Sequence, residues 1–441
     1  MTAYWAEHAW LPTGLATEVR FEVVDGRFAG VRRRGRPEPG DERLHGVVLP
    51  GLANAHSHAF HRALRGRTHG DGGNFWTWRD QMYAVTRHLT PDTYHALARA
   101  VFAEMALAGI TVVGEFHYLH HEAGGRRYAD PNAMGHALVE AAKEAGVRLT
   151  LLDTCYLAGG LTGDGHLPLD DVQERFSDGD VDAWATRVAA LEPDATTRVG
   201  AAVHSVRAIP RDQLKPLAEV TRGRTVHTHV SEQPGENLAT QMFYGATPTH
   251  LLAEAGLLTE RFTAVHATHL TDDDIALLGG HRATACFCPT TERDLADGIG
   301  PARALADAGV RLSLGSDQHA VIDMFEEVRG LEMHERLASN ERGRFTVDAL
   351  VRAVSVDGYR SLGWAEGGTV ADGEPADFVL VRTDTVNTAG SKAGQILYSA
   401  TRSDVDLVVV GGEVVVRDGE HRLGDVSALL TSSLAAVREH R

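Results

Sequence analysis

The run Pro50-Gly51-Leu52-Ala53-Asn54-Ala55-His56-Ser57-His58 carries two imidazoles in a His-x-His spacing. At the end of a strand, side chains two residues apart point the same way, roughly 6.6 Å from each other, close enough for both to bind one metal ion. The pair alone is a weak signal. The chain holds 24 histidines, including a second His-x-His at His227-Thr228-His229, and two solvated strand-end histidines would read the same way. Other apolar runs deliver the rest of a site. They lead into Glu115-Phe116-His117-Tyr118, His204-Ser205-Val206-Arg207, His227 to Glu232, His266-Ala267-Thr268-His269 and Gly315-Ser316-Asp317-Gln318-His319. Three imidazoles and a carboxylate from separate strands can converge on one divalent cation and leave a position for water, which is a hydrolytic metal site.

The elements that must position these residues alternate. From about residue 47, short β-branched runs are separated by longer helical patterns, as in successive βα units around a parallel sheet. Eight runs are predicted: Val48-Leu49, Ile110 to Val113, Val147 to Leu152, Arg198 to Val203, Thr225 to His229, Phe262 to His266, Ala283 to Cys288 and Val310 to Leu314. Helices are expected over Asp92 to Leu107, Asn132 to Ala145, Arg211 to Thr221 and Pro301 to Ala308, several opening on Asp, Asn or Pro as helix starts require. The expected fold class is α/β: a (β/α)8 TIM-type barrel over residues 47–367, whose functional residues gather at the C-terminal ends of the strands. Residues 1–46 and 368–425 carry short alternating strands with Gly turns, among them Val19 to Val24, Ala376 to Val381, Asp406 to Val410 and Glu413 to Val416. They are expected to form one small β-sandwich domain built from both chain ends, with a helix over 426–441 closing the chain.

Composition narrows the function. The 441 residues are 43% hydrophobic and 23% charged, ordinary for a globular protein with a large core. A formal net charge of -17 argues against nucleic acid and anionic membranes as partners. An anionic substrate must therefore be drawn in by local arginines. The first residues lack a signal-peptide pattern, and the apolar stretch from Val101 to Val113 is interrupted by Glu104 and too short to span a bilayer. Three cysteines make no disulfide framework, so a cytoplasmic location is expected, with Cys286 and Cys288 alternating along a buried strand.

The order of motifs along the whole chain resembles the amidohydrolase superfamily, in particular its deaminase branch with one metal ion. The resemblance implies His56, His58, His229 and Asp317 as metal ligands, Glu232 as acid and base, and His266 as the strand-6 histidine that shares catalysis with Glu232 and Asp317. Spacing alone leaves His227 and His229 open. The family's His-x-x-Glu pattern selects His229, and likewise sets His269 aside in favour of His266. Relatives with two metals bridge them by a carboxylated strand-end lysine; Lys143, Lys215 and Lys392 all fall in helices or a loop, so one ion is expected, Zn2+ as the best fit to three nitrogens and a carboxylate, with Fe2+ as the alternative.

Within that superfamily the chain is most similar to the formimidoylglutamate deiminases. The motifs are His56-Ser57-His58-Ala59-Phe60, Phe75-Trp76-Thr77-Trp78-Arg79, His204-Ser205-Val206-Arg207, Glu232-Gln233 and Cys288-Pro289-Thr290-Thr291-Glu292, followed by Leu295 and Asp297-Gly298-Ile299. The resemblance implies hydrolytic deimination of N-formimino-L-glutamate to N-formyl-L-glutamate and ammonia, by a homodimer. Arg207, Arg79, Tyr118, His204 and His61 are the candidate substrate-binding residues, because two carboxylates need cationic or hydroxyl donors and Arg binds them bidentately. Trp76 and Trp78 are expected to pack rather than to stack on substrate. His61 and the pair Arg293-Asp294 depart from the family pattern and point to a shifted substrate such as formimino-aspartate. Two other readings compete: a ring deaminase acting on guanine or an adenosylhomocysteine-like amine, which would want aromatics and amides in place of arginines, and a non-catalytic assembly protein, which would be expected to lose ligands.

Overall fold

The structure is a computed structural model and describes residues 1–69 and 75–438. Its strands, in chain order, are β1 (Thr2–Leu11), β2 (Gly14–Val24), β3 (Arg27–Arg32), β4 (Glu42–Pro50), β5 (Leu52–Ser57), β6 (Ile110–His117), β7 (Arg148–Cys155), β8 (Gly160–Thr162), β9 (Gly165–Leu167), β10 (Thr197–Val203), β11 (Val226–Val230), β12 (Phe262–His266), β13 (Thr284–Phe287), β14 (Arg311–Leu314), β15 (Phe378–Val381), β16 (Val405–Val410), β17 (Glu413–Arg417) and β18 (Glu420–His421).

Eight of them form one parallel sheet in the order β5-β6-β7-β10-β11-β12-β13-β14. Strands such as β6 and β7 are buried at every residue, which is why they read as continuous apolar runs. A parallel bridge between Ser57 and Asp317 brings the two edge strands together and turns the sheet into a barrel. The Asp317 N–H donates to the His56 carbonyl at 3.0 Å and the His58 N–H to the Asp317 carbonyl at 3.2 Å, so closure itself sets predicted ligands side by side. Gly315 permits this approach, since a Cβ there would lie 2.7 Å from the His56 carbonyl oxygen and 2.9 Å from its nitrogen. The crossover helices start where their caps dictate: Thr90 and Thr271 make capping boxes for Pro91–Leu107 and Asp272–Gly280, and Asp323 caps Met324–Ser339.

The chain ends meet in a second, mixed sheet with the order β18-β17-β16-β15-β4-β1-β2-β3. It is a single continuous ladder that curls over its own core. β3 and β15 are four strands apart, roughly 19 Å on a flat sheet, yet the Phe28 and Phe378 rings lie 5.9 Å apart and Arg27 bridges Pro375. Tyr4, Phe21, Phe28 and Phe378 fill the space enclosed. The two layers are joined at Asp377, which accepts from Arg148 of β7 at 2.7 and 3.1 Å and from the Tyr359 hydroxyl at 2.9 Å.

Several expectations need correction. Val48-Leu49 lies in β4, paired with β1 and β15, and the first barrel strand is β5. The expected boundary at 46/47 therefore cuts a strand of the end sheet. An apolar run buried on both faces looks the same in either sheet, and only pairing distinguishes them. β13 ends at Phe287, so Cys288 is the N-cap of the helix Pro289–Asp294 and does not continue the strand. The last helix is Val426–Arg438; residues 439–441 of the expected segment lie outside the described residues.

Candidate active site

The polar residues at the strand ends converge. His56 Nε2 lies 3.2 Å from His229 Nε2 and 3.2 Å from Asp317 Oδ1, and His58 Nε2 lies 3.4 Å from the same oxygen. The possible ligand atoms of His56, His58 and His229 fall within 4.8 Å of one another, as do those of His56, His266 and Asp317. His58 Nδ1 donates to the Phe116 carbonyl and His229 Nδ1 to the His204 carbonyl, each at 2.9 Å. Those bonds place the protons on Nδ1, so both Nε2 lone pairs face the centre. Burial holds His58 down to about 3 and His229 well below the ordinary imidazole value, keeping both rings neutral. Burial opposes ionisation of Asp317, but His56, His266 and His58 around it bring its pKa well below the usual carboxylate range. Converging lone pairs and one carboxylate, buried together, suit a divalent cation.

Backbone conformation aims these groups. Ser231, His266 and Asp317 adopt left-handed φ values of 51°, 67° and 43°, uncommon for residues other than Gly and concentrated here at the ends of β11, β12 and β14. The rejected histidines point elsewhere: His227 Nε2 donates to the Ser361 carbonyl at 2.8 Å, and His269 Nε2 to the Asp297 carbonyl at 2.7 Å. A further cluster of His117, His120 and Asp153 lies apart from this centre. Its carboxylate is already held by Arg187 at 2.8 and 2.9 Å and by the Trp184 indole at 2.9 Å.

Around the cage is a shell of acids, only part of which sequence reasoning named. Glu232 Oε1 lies 3.7 Å from His266 Nε2, and Glu232 Oε2 is 3.1 Å from Arg207 Nη2. Burial opposes the charging of His266, but Glu232, Glu292 and Asp317 raise it to about 10. Glu292 sits 3.5 Å from His266 Nδ1 and accepts the Cys288 N–H at 2.8 Å. Glu236 accepts the Glu232 N–H at 3.2 Å and is raised to about 7, burial outweighing Arg207. Asp297 accepts from Gln233 and is raised to about 9 by burial and by Glu232. The His-x-x-Glu spacing exposed Glu232. Glu292 and Asp297 were visible only as parts of motifs, and Glu236 had no signal beyond its position one helical turn after Glu232.

A cavity of about 320 Å³ opens over the cage, at the small end of the range for ligand sites. All five predicted substrate residues line it: Arg207, His204, Tyr118, Arg79 and His61. His61 Nε2 is 3.0 Å from the Tyr118 hydroxyl, and its ring centre is 4.4 Å from that of His58. His204 stands edge-on to His229, 5.2 Å between ring centres. The Arg79 guanidinium lies 4.7 Å from the Trp76 ring. Trp76 and Trp78 of the helix Phe75–Thr86 also line the cavity, as its wall. Arg293 and Asp294, which depart from the family pattern, are not among the residues that line this cavity. Asp294 takes Gln318 and His69, each at 2.7 Å, and Arg293 takes Glu326 at 2.8 Å, in a surface groove, while the next residue, Leu295, is the one that reaches the cavity.

Residues 47–415 match the family described as "Amidohydrolase family". The chain belongs to the amidohydrolase family. Residues 1–45 of this amidohydrolase match "Formimidoylglutamate deiminase HutF, N-terminal domain". Formimidoylglutamate deiminase of Pseudomonas aeruginosa is 36% identical over 440 residues, covering 96% of each chain. The 5-methylthioadenosine/S-adenosylhomocysteine deaminase of Natronomonas pharaonis is 28% identical over 419 residues, covering 92% of this chain and 90% of that one. Among solved structures, an amidohydrolase from Brucella melitensis superposes with a TM-score of 0.91 at 31% identity, over 99% of this chain and 100% of that one. Amidohydrolases are metal-dependent hydrolases, and this one has the His and Asp groups to hold an ion. Among the described residues, no helix is long and apolar enough to cross a membrane.

Proposed function

We infer that this amidohydrolase hydrolyses the formimino group of N-formimino-L-glutamate, a step of histidine degradation. Water is consumed, the C–N bond to the terminal nitrogen breaks, and N-formyl-L-glutamate and ammonia leave. One observation carries the reading: a single cavity has a cage for a divalent cation at one end and the guanidinium groups of Arg207 and Arg79 on its walls. Such a cavity fits a small molecule with a hydrolysable head and anionic groups. The near full-length likeness to a formimidoylglutamate deiminase supports the same substrate.

His56, His58, His229 and Asp317 are the proposed metal ligands. Three nitrogens and one carboxylate favour zinc, and ferrous iron accepts the same set. When bound, the ion supplies Lewis acidity that brings the pKa of a water toward about 7. Glu232 takes the proton of the attacking water and returns it to the departing nitrogen. His266 and Asp317 offer hydrogen bonds to the water and to the tetrahedral carbon's substituents. Arg207 and Arg79 receive the carboxylates, with Tyr118, His204 and His61 supplying further polar contacts. The chemistry is assigned to the barrel, and the end sheet to holding it.

Ammonia release measured side by side on N-formimino-L-glutamate, N-formimino-L-aspartate, guanine and S-adenosylhomocysteine tests the substrate. Turnover of formiminoglutamate well above the others is expected; preference for either aromatic amine overturns the reading. A homodimer is the proposed assembly. The exposed side chains of Leu238, Met242 and Phe243 beside the β8–β9 hairpin support a contact between copies. Sedimentation velocity showing a monomer removes it.

A further inference from the structure

The candidate base and the candidate carboxylate receiver hold each other. Arg207 Nη2 lies 3.1 Å from Glu232 Oε2, with both side chains largely buried. The other oxygen of Glu232 faces His266 Nε2 at 3.7 Å. An oxygen engaged by a guanidinium offers that lone pair to no water. Glu236, which accepts the Glu232 N–H, also stands beside Arg207. Its Oε1 is 4.0 Å from Arg207 Nε, fully buried and without a hydrogen-bond partner among the described residues. Arg207 thus sits between two carboxylates, one engaged and one within reach, on the wall of the cavity.

We propose that Arg207 is a substrate-released latch on Glu232, so that the carboxylate of the correct substrate frees the base that attacks its other end. The inference rests on the deiminase reading above. An arriving carboxylate can accept two parallel N–H bonds from the guanidinium, replacing the single bond to Glu232. Glu236, 4.0 Å from Arg207 Nε, offers the guanidinium a second carboxylate as it turns from Glu232 to the substrate. Glu232 Oε2 then faces the reacting water. Binding energy from the remote end of the substrate is spent on readying the base, so discrimination appears in kcat as well as in KM. An amidine without a carboxylate fits the reacting end and leaves the latch shut.

The test divides the substrate in two. The metal-loaded full-length protein is given N-methylformamidine, with and without propionate or glutarate, and ammonia release is followed. A free carboxylate is expected to raise the kcat for N-methylformamidine by about tenfold or more, the worth of one charge-assisted hydrogen bond. Arg207→Met is expected to raise the unstimulated rate and abolish the response. Glu236→Gln removes the competing charge, lowers the unstimulated rate and keeps the stimulated one, and it serves if Arg207→Met does not fold. Turnover of N-formimino-L-glutamate without any stimulation by carboxylate overturns the latch alone. No turnover of N-formimino-L-glutamate overturns the assigned reaction and the latch with it.

Discussion

In the proposed reaction a single carboxylate, Glu232, separates binding from turnover. It lies outside the cage of His56, His58, His229 and Asp317 but reaches His266 and Arg207. Glu232→Gln keeps the shape and removes the proposed proton carrier. The metal content, measured by mass spectrometry of the purified protein, should be unchanged while kcat falls by about 10²- to 10⁴-fold. Arg207→Met should lower kcat/KM for N-formimino-L-glutamate by about tenfold to a hundredfold, the loss of a charged hydrogen-bonding partner. Near wild-type efficiency would remove Arg207 from the carboxylate site. Strand periodicity and the barrel rule made polar residues at the strand ends readable, and the family resemblance named the candidate ligands among them. The choice between His227 and His229 was not, since both lie on the same strand two residues apart. It took the His-x-x-Glu pattern to choose, and the fold gives a reason: His227 is spent on the Ser361 carbonyl outside the cage.

At the scale of elements, the site depends on how closely β5 and β14 approach. Gly315 lies against the His56 backbone with no room for a Cβ. Gly315→Ala should cost about 1–3 kcal/mol in stability, as overpacking does, and should lower metal affinity by displacing His56. Denaturant unfolding with and without added metal checks both, and a variant that binds metal like the parent would show that closure does not position the ligand. Helices were legible to within a residue or two, as with Asp92 to Leu107 against the observed Pro91–Leu107, because Thr90 and Pro91 mark the start locally. β4 was misassigned to the barrel because burial on both faces erases the alternation that would have betrayed its sheet.

At the scale of the whole molecule, buried ion pairs tie distant parts of the chain to the barrel. Glu104 accepts from Arg65 at 2.6 Å, Arg62 at 2.8 Å and Arg402 at 2.9 Å, joining the segment after β5, a crossover helix and the C-terminal region. Burial opposes its ionisation, but Arg65 and Arg62 lower its pKa from 4.5 to about 2. A depressed carboxylate pKa stabilises above the unfolded value and loses that contribution as pH falls through the folded one. Glu104 should therefore contribute about 3 kcal/mol above pH 4.5, declining toward pH 2. Comparing urea unfolding of the parent and Glu104→Gln at pH 7 and at successively lower pH checks this; a gap that widens on acidification would contradict it. Asp377→Ala should cost about 3–5 kcal/mol by leaving Arg148 buried and unpaired between the layers, with part regained in the double variant carrying Arg148→Met.

The sequence by itself determined the barrel class and the kinds of residue at its strand ends, because side-chain periodicity and caps are local and read directly from neighbouring residues. Only the tertiary structure decided which sheet owns β4, that Arg207 grips Glu232, and that Glu236, Glu292 and Asp297 crowd around the same centre. Those relations are distances between residues far apart in the chain. No local pattern encodes them, and they exist only once β5 meets β14 and the ring of strands is drawn together.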